Sequence, residues 1–584
     1  MGAIALSLYA SGLFGADRFN PGGLSLLGRF LQASIQPDLS PDFLRLTLAA
    51  TLTTLAYAVC GTFLSLLLGL LGGVLTAEVW WLSVFPHSGK QQSIGLSIRA
   101  LLAIPRAIHE LIWGLFFVNI FGLDPLVAIM AIAIPYGAIV AKVFAEILDE
   151  TPRQSLKALI NSGTSPLTAL LYTLFPQAWL NLIAYACYRF ECSIRSATVL
   201  GIIGAGGLGY QILLSLQSLR YEQLWTLFYA LFVLNGVVDL SSAYLRHRWG
   251  SPSRLDLHLH RGGRGEQGSS RLDLHLHGER SGEQGSRGAG EDILPASTAK
   301  LEAQANPQNF SGPDPGFLLM AVLISLPGIG FCFHYIGADF SKLWSPRTGQ
   351  LLGQVVQLSL PPHLTVEQLR QLFNLSLQTL SMSVLAIAIA GLGGILLSFP
   401  AAYNFLAAGR EESSSGPAQV DWILSWIILL VTRAILLVAR SIPAPIWALV
   451  VLFVMFPGVL PGAIALGIHN LGILGRLMAE VNENLDQRPL RALKAQGTPA
   501  SLVFLYGVLP LTLTRFLAYI LYRWEVCLRA TVIVGLVGAG GLGRLLTEQL
   551  SSFDYASVVV TLGCFVILTF SVDWVSARVR RSLR

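Results

Sequence analysis

Tyr188–Gly209 reads YRFECSIRSATVLGIIGAGGLG, and Tyr522–Gly543 writes the same element again as YRWEVCLRATVIVGLVGAGGLG. Tyr188/Tyr522, Arg189/Arg523, Glu191/Glu525 and Arg195/Arg529 share one offset of 334 residues, as do Gly201, Gly204, Gly206, Gly207 and Gly209 with Gly535, Gly538, Gly540, Gly541 and Gly543. A repeat this long and this apolar is not a solenoid period. It indicates two copies of one membrane module in a pseudo-twofold pair.

Composition agrees. The 584 residues are 53% hydrophobic and only 12% charged, against about 25% charged in soluble domains. Spans of about 20 apolar residues recur roughly a dozen times, six per half. Gly2–Ala16 is short for a span and lacks the basic start of a signal peptide. It occupies the place that Phe317–Ile336 holds in the second half, so it reads as a retained first span. The net charge of +6 sits in loops beside spans, which points to topology rather than nucleic acid. The six cysteines show no CxxC spacing and none coincides between halves, so buried thiols are expected and no metal or disulfide framework.

Outward from the repeat, the halves keep one plan. Long apolar runs at Phe43–Thr76 and Phe373–Phe399 are followed by helices at Ile94–Ile120 and Trp422–Phe456. These carry Arg106-Ala-Ile-His109-Glu110-Leu-Ile-Trp113 and Arg440-Ser-Ile-Pro443-Ala444-Pro-Ile-Trp447, again 334 apart. A further helix in each half, about Pro125–Ile147 and Gly458–Val481, leads into a polar loop. Helices at about Leu167–Cys187 with Trp225–Leu245, and Leu502–Leu521 with Tyr555–Ala577, bracket the glycine element. The chain therefore divides into a first module at 1–245, a linker at 246–315 and a second module at 316–584. The linker is rich in Gly, Ser, Arg and Glu, repeats RLDLHLH and GEQGS, and is expected to be disordered. Lys and Arg near the spans place the linker, the C-terminus and both polar loops on the cytoplasmic side.

The polar loops, Gln154–Gln177 and Arg488–Pro510, each carry a short amphipathic helix, a glycine (Gly163, Gly497) and a proline thirteen residues later (Pro176, Pro510). A projecting helix of this kind suits a groove on a motor subunit and turns rigid-body motion into helix tilting. GAGGLG formally matches a dinucleotide fingerprint but follows no strand, and no phosphate-binding GxxxxGK[ST] occurs. ATP hydrolysis is not expected of this chain. The glycines serve either close helix packing or irregular backbone beside a protein-lined cavity. Glu191 with Arg195, and Glu525 with Arg529, are spaced i,i+4 for pairing and fall toward the outer side. Each such charge is either a pathway group or a brace for the glycine element. Arg106 and Arg440 face either a pore or the membrane edge. His109, Glu110 and His469 differ between halves and suit local packing.

The loops resemble the EAA coupling loop of ABC-importer permeases, with Ala158 and Ala492 in place, Lys157 and Arg491 for its leading Glu, and Leu159 and Leu493 for its second Ala. With YRxExxxRxxxxxGxxGAGGLG and the R-x-I-x-x-x-I-W helix, the chain resembles the phosphonate ABC-transporter permease family, as two modules fused in tandem. The family's R-x-I-P-E-x-x-W is split here: Glu110 stays but His109 replaces proline, while Pro443 stays but Ala444 replaces glutamate. The resemblance implies an all-α polytopic membrane protein of two MetI-like, type I modules of about six helices each. It would lie in a bacterial plasma (inner) membrane and import phosphonate- or phosphite-like oxyanions. Partners would be two ABC ATPase subunits holding ATP-Mg, an extracytoplasmic binding protein and membrane lipid, with no nucleic acid, and with neither cofactor nor metal bound by this chain. Coupling-loop residues would be Lys157, Ala158, Gly163, Pro176, Arg491, Ala492, Gly497 and Pro510. Pathway or gate candidates would be Arg106, Glu110, Arg189, Glu191, Arg195, Gly204, Gly206 and Gly207 in the first half. Their counterparts would be Arg440, Arg523, Glu525, Arg529, Gly538, Gly540 and Gly541. The alternatives are a methionine or glycine-betaine importer permease and, from another class, a proton-coupled secondary transporter.

Overall fold

The computed structural model describes residues 7, 20, 22–84, 91–248, 315–359, 365–404 and 418–582. Gly2–Ala16, apart from Ser7, and most of the linker lie outside the described residues. In the first half α1 (Gly23–Ala33) precedes α2 (Pro41–Thr76), α3 (Glu78–Val84), α4 (Gln91–Ala107), α5 (Glu110–Phe121) and α6 (Pro125–Glu150). Then come α7 (Gln154–Asn161), α8 (Pro166–Leu200), α9 (Gly207–Gln217) and α10 (Tyr221–Arg248). The second half begins with α11 (Pro315–Ile336), α12 (Pro346–Ser359), α13 (Val366–Ala401), α14 (Ala418–Ser441), α15 (Ala444–Val451) and α16 (Val459–Glu483). It closes with α17 (Gln487–Ala495), α18 (Ala500–Val503), α19 (Leu509–Val534), α20 (Gly541–Ser551) and α21 (Tyr555–Ser582). This is an all-α membrane protein of two repeated modules, and no β-strand occurs among the described residues.

Local sequence explains where these helices start. Ser40-Pro41, Asp124-Pro125 and Ser165-Pro166 put proline at the first helical position, where its missing N–H costs nothing. Asp124 Oδ1 accepts from the Leu126 amide at 2.8 Å. Thr365 and Gln368 form a reciprocal capping box at α13.

Nine described helices are long and apolar enough to cross a membrane, or ten with α4 and α5 counted together. Several sequence boundaries change. Ile94–Ile120 is broken at Ile108-His109 and bent by 83°, with His109 capping α5; Trp422–Phe456 breaks in the same place, at Ile442-Pro443. The helix expected to end at Cys187 instead runs on to Leu200 as α8, because nothing between Tyr188 and Leu200 breaks it. Tyr188, Arg189, Glu191 and Arg195 are therefore helical residues inside a span.

Each module is built on one tight pair, α2 with α6 and α13 with α16. Small residues let the backbones approach: a Cβ on Gly69 would lie 2.3 Å from Val140 Cγ1, and one on Gly467 would lie 3.0 Å from Ile389 Cγ2. The most apolar window of α6 is 72% buried and that of α16 is 61%, against 22% for α14, which puts α6 and α16 at the centre. Leu48, Leu67, Leu71, Leu240, Ile567 and Trp574 point outward and are exposed, as a lipid-facing surface requires.

Candidate functional site: a twofold set of arginines at the middle of the spans

The breaks in the α4–α5 and α14–α15 spans aim Arg106 and Arg440 into the seam between modules. Arg440 Nη2 makes an ion pair with Asp239 Oδ2 of α10, so second-half arginine meets first-half aspartate. Asp573 of α21 is the equivalent of Asp239 and lies within electrostatic reach of Arg106, reversing the exchange. Arg195 faces Asp239 and Arg529 faces Asp573. Two clusters result, one around Asp573 with Arg106 and Arg529, within reach of Glu525 and Lys142, and one around Asp239 with Arg440 and Arg195, within reach of Glu191.

Glu191 and Glu525 are buried. The i,i+4 pair anticipated for the second copy does not form: Glu525 Oε1 pairs instead with Arg580 Nη1 of α21 at 2.5 Å. Arg529 is left to donate to main chain, from Nε to the Glu525 carbonyl at 3.4 Å and from Nη1 to the Arg106 carbonyl at 3.4 Å. Arg195 Nη2 reaches Cys192 Sγ at 3.5 Å. Glu525 is thus tied to the last helix, and Arg529 to the break beside Arg106.

Arg189 and Arg523 lie six residues before Arg195 and Arg529, on α8 and α19. Each packs against the middle of a central helix, Arg189 on α6 and Arg523 on α16. The Arg189 guanidinium stacks 3.8 Å over the Tyr136 ring. Arg523 Nε donates to Asn470 Oδ1 at 2.8 Å, and Asn470 is the equivalent of Tyr136. The first half also has a chain absent from the second. Tyr136 Oη meets Ser196 Oγ at 2.5 Å, Ser196 Oγ donates to Glu110 Oε1 at 2.7 Å, and His109 Nδ1 lies 3.2 Å from Glu110 Oε2. The matching positions are Asn470, Ala530, Ala444 and Pro443, which cannot build it. His469 Nδ1 meets the Ile442 carbonyl at 3.0 Å.

Beyond these charges the glycine elements form twin hairpins. Each has one π-helical turn, Gly201–Ala205 or Gly535–Ala539, followed by a short returning helix. Gly204, Gly206 and Gly207 have φ of +103°, +89° and +71°, and Gly538, Gly540 and Gly541 have +98°, +78° and +72°, a region closed to most side chains. Thr54 Oγ1 accepts from the Leu208 amide at 2.8 Å and Thr379 Oγ1 from the Leu542 amide at 2.9 Å. The backbone is irregular at these six positions, and Gly201, Gly209, Gly535 and Gly543 lie against neighbouring backbone.

The two polar loops match in detail. The Thr164 amide donates to the Leu159 carbonyl at 3.2 Å and Thr498 to Leu493 at 3.3 Å, closing α7 and α17 around Gly163 and Gly497 at φ +87° and +76°. Leu156 and Leu490 anchor the helices in the core. Lys157, Ala158, Arg491 and Ala492 face outward. Pro176 lies inside continuous α8, whereas Pro510 follows a π-helical turn at Phe504–Val508.

Sequence reasoning missed Asp239, Asp573, Tyr136, Asn470, Thr54 and Thr379. A signal existed for the aspartates, since Val238-Asp239-x-x-Ser242-Ala243 recurs as Val572-Asp573-x-x-Ser576-Ala577.

A model of the family described as binding-protein-dependent transport system inner membrane component matches residues 69–251 and again 420–584. The chain is similar to the phosphate-import permease protein PhnE of Mycolicibacterium smegmatis, 26% identical over 557 residues, covering 95% of this chain and 88% of that one. It is similar to the phosphite transport system permease protein PtxC of Stutzerimonas stutzeri, 31% identical over 208 residues, covering 36% and 70%. A solved structure of the MetNI methionine ABC transporter in an inward facing conformation is 17% identical, covers 38% of this chain and all of its own, and gives a TM-score of 0.33.

Proposed function

The chain belongs to the binding-protein-dependent transport system inner membrane component family, the permease subunits of ABC importers, and from that premise we propose that it carries phosphonate- or phosphite-like oxyanions. The carrying observation is the twofold set of six arginines, 106, 189 and 195 with 440, 523 and 529, against two facing aspartates. Arginine at a pathway offers paired donors suited to tetrahedral oxyanions. The names of the relatives, phosphate and phosphite permeases, lend support.

In this reading two separate ATPase subunits receive α7 and α17, and ATP-Mg binds there and not on this chain. Lys157, Ala158, Arg491 and Ala492 supply the contact face, Gly163 and Gly497 the turns, and Pro176 and Pro510 the entry into the following spans. An extracytoplasmic binding protein delivers the anion to the opposite side. The protein is a multi-pass membrane protein; the bacterial inner membrane, with the linker and C-terminus cytoplasmic, fits the Lys and Arg distribution. The module limits 1–245 and 316–584 suit this assembly.

The test is ATP hydrolysis by the chain reconstituted with its ATPase subunits and binding protein, read with phosphonates, phosphite, methionine or betaine. Stimulation by an oxyanion alone is expected. Stimulation by methionine or betaine moves the chain to another importer class, and uptake driven by a proton gradient without ATPase association overturns the reading.

A further inference from the structure

The two halves hold their equivalent central arginines differently. Arg189 is 7% exposed, and its Nε and Nη2 have no hydrogen-bond partner. Those two nitrogens form one edge of the guanidinium, with parallel N–H bonds spaced for two oxygens of one anion. In Arg523 the same edge is engaged, because Asn470 Oδ1 sits on Nε at 2.8 Å. Tyr136, in the place of Asn470, gives Arg189 a ring face at 3.8 Å and spends its hydroxyl on Ser196. It supports the guanidinium without occupying its edge. Buried charged donors are ordinarily paired, and an exception calls for a ligand or a function.

We propose that the pathway has one oxyanion fork rather than two: the Nε–Nη2 edge of Arg189 takes two oxygens of a phosphonate-, phosphite- or phosphate-type group at the middle of the spans. Arg523, already engaged by Asn470, sets the position of its helix. The chain's pseudo-symmetry is broken at the point of anion contact. This inference rests on the permease reading of the site.

The test uses the purified full chain in lipid nanodiscs, without ATPase or binding protein, and equilibrium dialysis against inorganic phosphate, phosphite and methylphosphonate. One bound anion per chain is expected. Arg189→Gln should weaken binding roughly tenfold or more, the loss of one bidentate charge-assisted contact. Arg189→Lys keeps the charge but loses the edge and should weaken it nearly as much. Tyr136→Asn keeps the arginine, offers its edge an internal acceptor and should also weaken binding. Arg523→Gln should have several-fold less effect than Arg189→Gln. Two anions per chain, no binding of any of the three, or equal losses from Arg189→Gln and Arg523→Gln overturns the fork. Uptake by the assembled transporter is read in parallel. Arg189-dependent binding without ATP-driven uptake sinks the importer reading and leaves the fork standing. Oxyanion uptake with Arg189-independent binding does the reverse.

Discussion

Gly209 and Gly543 sit where a side chain has no room. A Cβ on Gly209 would lie 1.8 Å from the Thr198 carbonyl oxygen, and one on Gly543 would lie 2.6 Å from Val532 Cα. Both obstacles are backbone of the preceding helix, so neither can rotate away. Gly209→Ala and Gly543→Ala should each cost about 3 kcal/mol or more and separate α9 from α8, or α20 from α19. Gly206 differs: its φ is +89° and ψ −162° with nothing within 4 Å, so Gly206→Ala meets only backbone strain, about 1–3 kcal/mol. Thermal unfolding of the detergent-solubilised variants should rank them in that order, and a Gly206→Ala loss as large as that of Gly209→Ala would contradict the hairpin geometry. The Arg440–Asp239 pair makes a second residue-scale case. Asp239→Ala leaves a half-buried cation beside Arg195 and should cost on the order of 1–3 kcal/mol. The exchange Arg440→Asp with Asp239→Arg should recover part of that loss, since the pair is complementary across the module seam. No recovery in the exchanged variant would mean that Arg195 sets the local charge balance.

At the scale of elements, α7 and α17 are short helices whose inward leucines bind them to the core and whose outward faces are unencumbered. Gly163 and Gly497 close them in the left-handed region with open space around each. Gly163→Val with Gly497→Val therefore changes the loop by strain rather than collision, and the chain should still assemble. Transport should fall while ATP hydrolysis persists, so the ratio of anion taken up to ATP hydrolysed is the measurement, and an unchanged ratio would refute the coupling assignment. These loops were legible in the sequence because everything that makes them is local: helix, glycine and proline at fixed spacing, written twice. The spans were legible for the same reason, and so was the strained glycine turn. The partners of the charges were not. Glu525 was matched with Arg529 because helical spacing sees only one helix, whereas its acid pairs with Arg580, 55 residues on. The bends at Ile108-His109 and Ile442-Pro443 also escaped, since apolar composition runs straight through them. The unequal settings of Arg189 and Arg523 depend on Tyr136 and Asn470, residues of a different helix, and no pattern within the glycine element carries that difference.

Across the whole molecule the two modules exchange contacts rather than merely abut. The Asn20 amide donates to the Val454 carbonyl at 2.9 Å, and a Cβ on Gly23 would lie 2.2 Å from the Phe453 carbonyl oxygen, so the start of the first half lies on the second. In return Lys342 pairs with Asp124, and Asn119 Nδ2 donates to the Leu550 carbonyl at 3.0 Å. Arg440 with Asp239 adds a tie at the middle of the spans. An interface held at both levels should not need the linker to form. Its covalent link then acts mainly by raising the effective concentration of one half near the other. Residues 1–248 and 312–584 expressed as separate chains should therefore copurify through a tag on either one, and deletion of 252–311 should leave uptake near that of the intact chain. Asp239→Arg in the split form should weaken copurification more than it weakens the fused chain, because the split form has no tether to offset the lost pair. Halves that fail to find each other would assign the linker a structural role that the contacts between modules do not require.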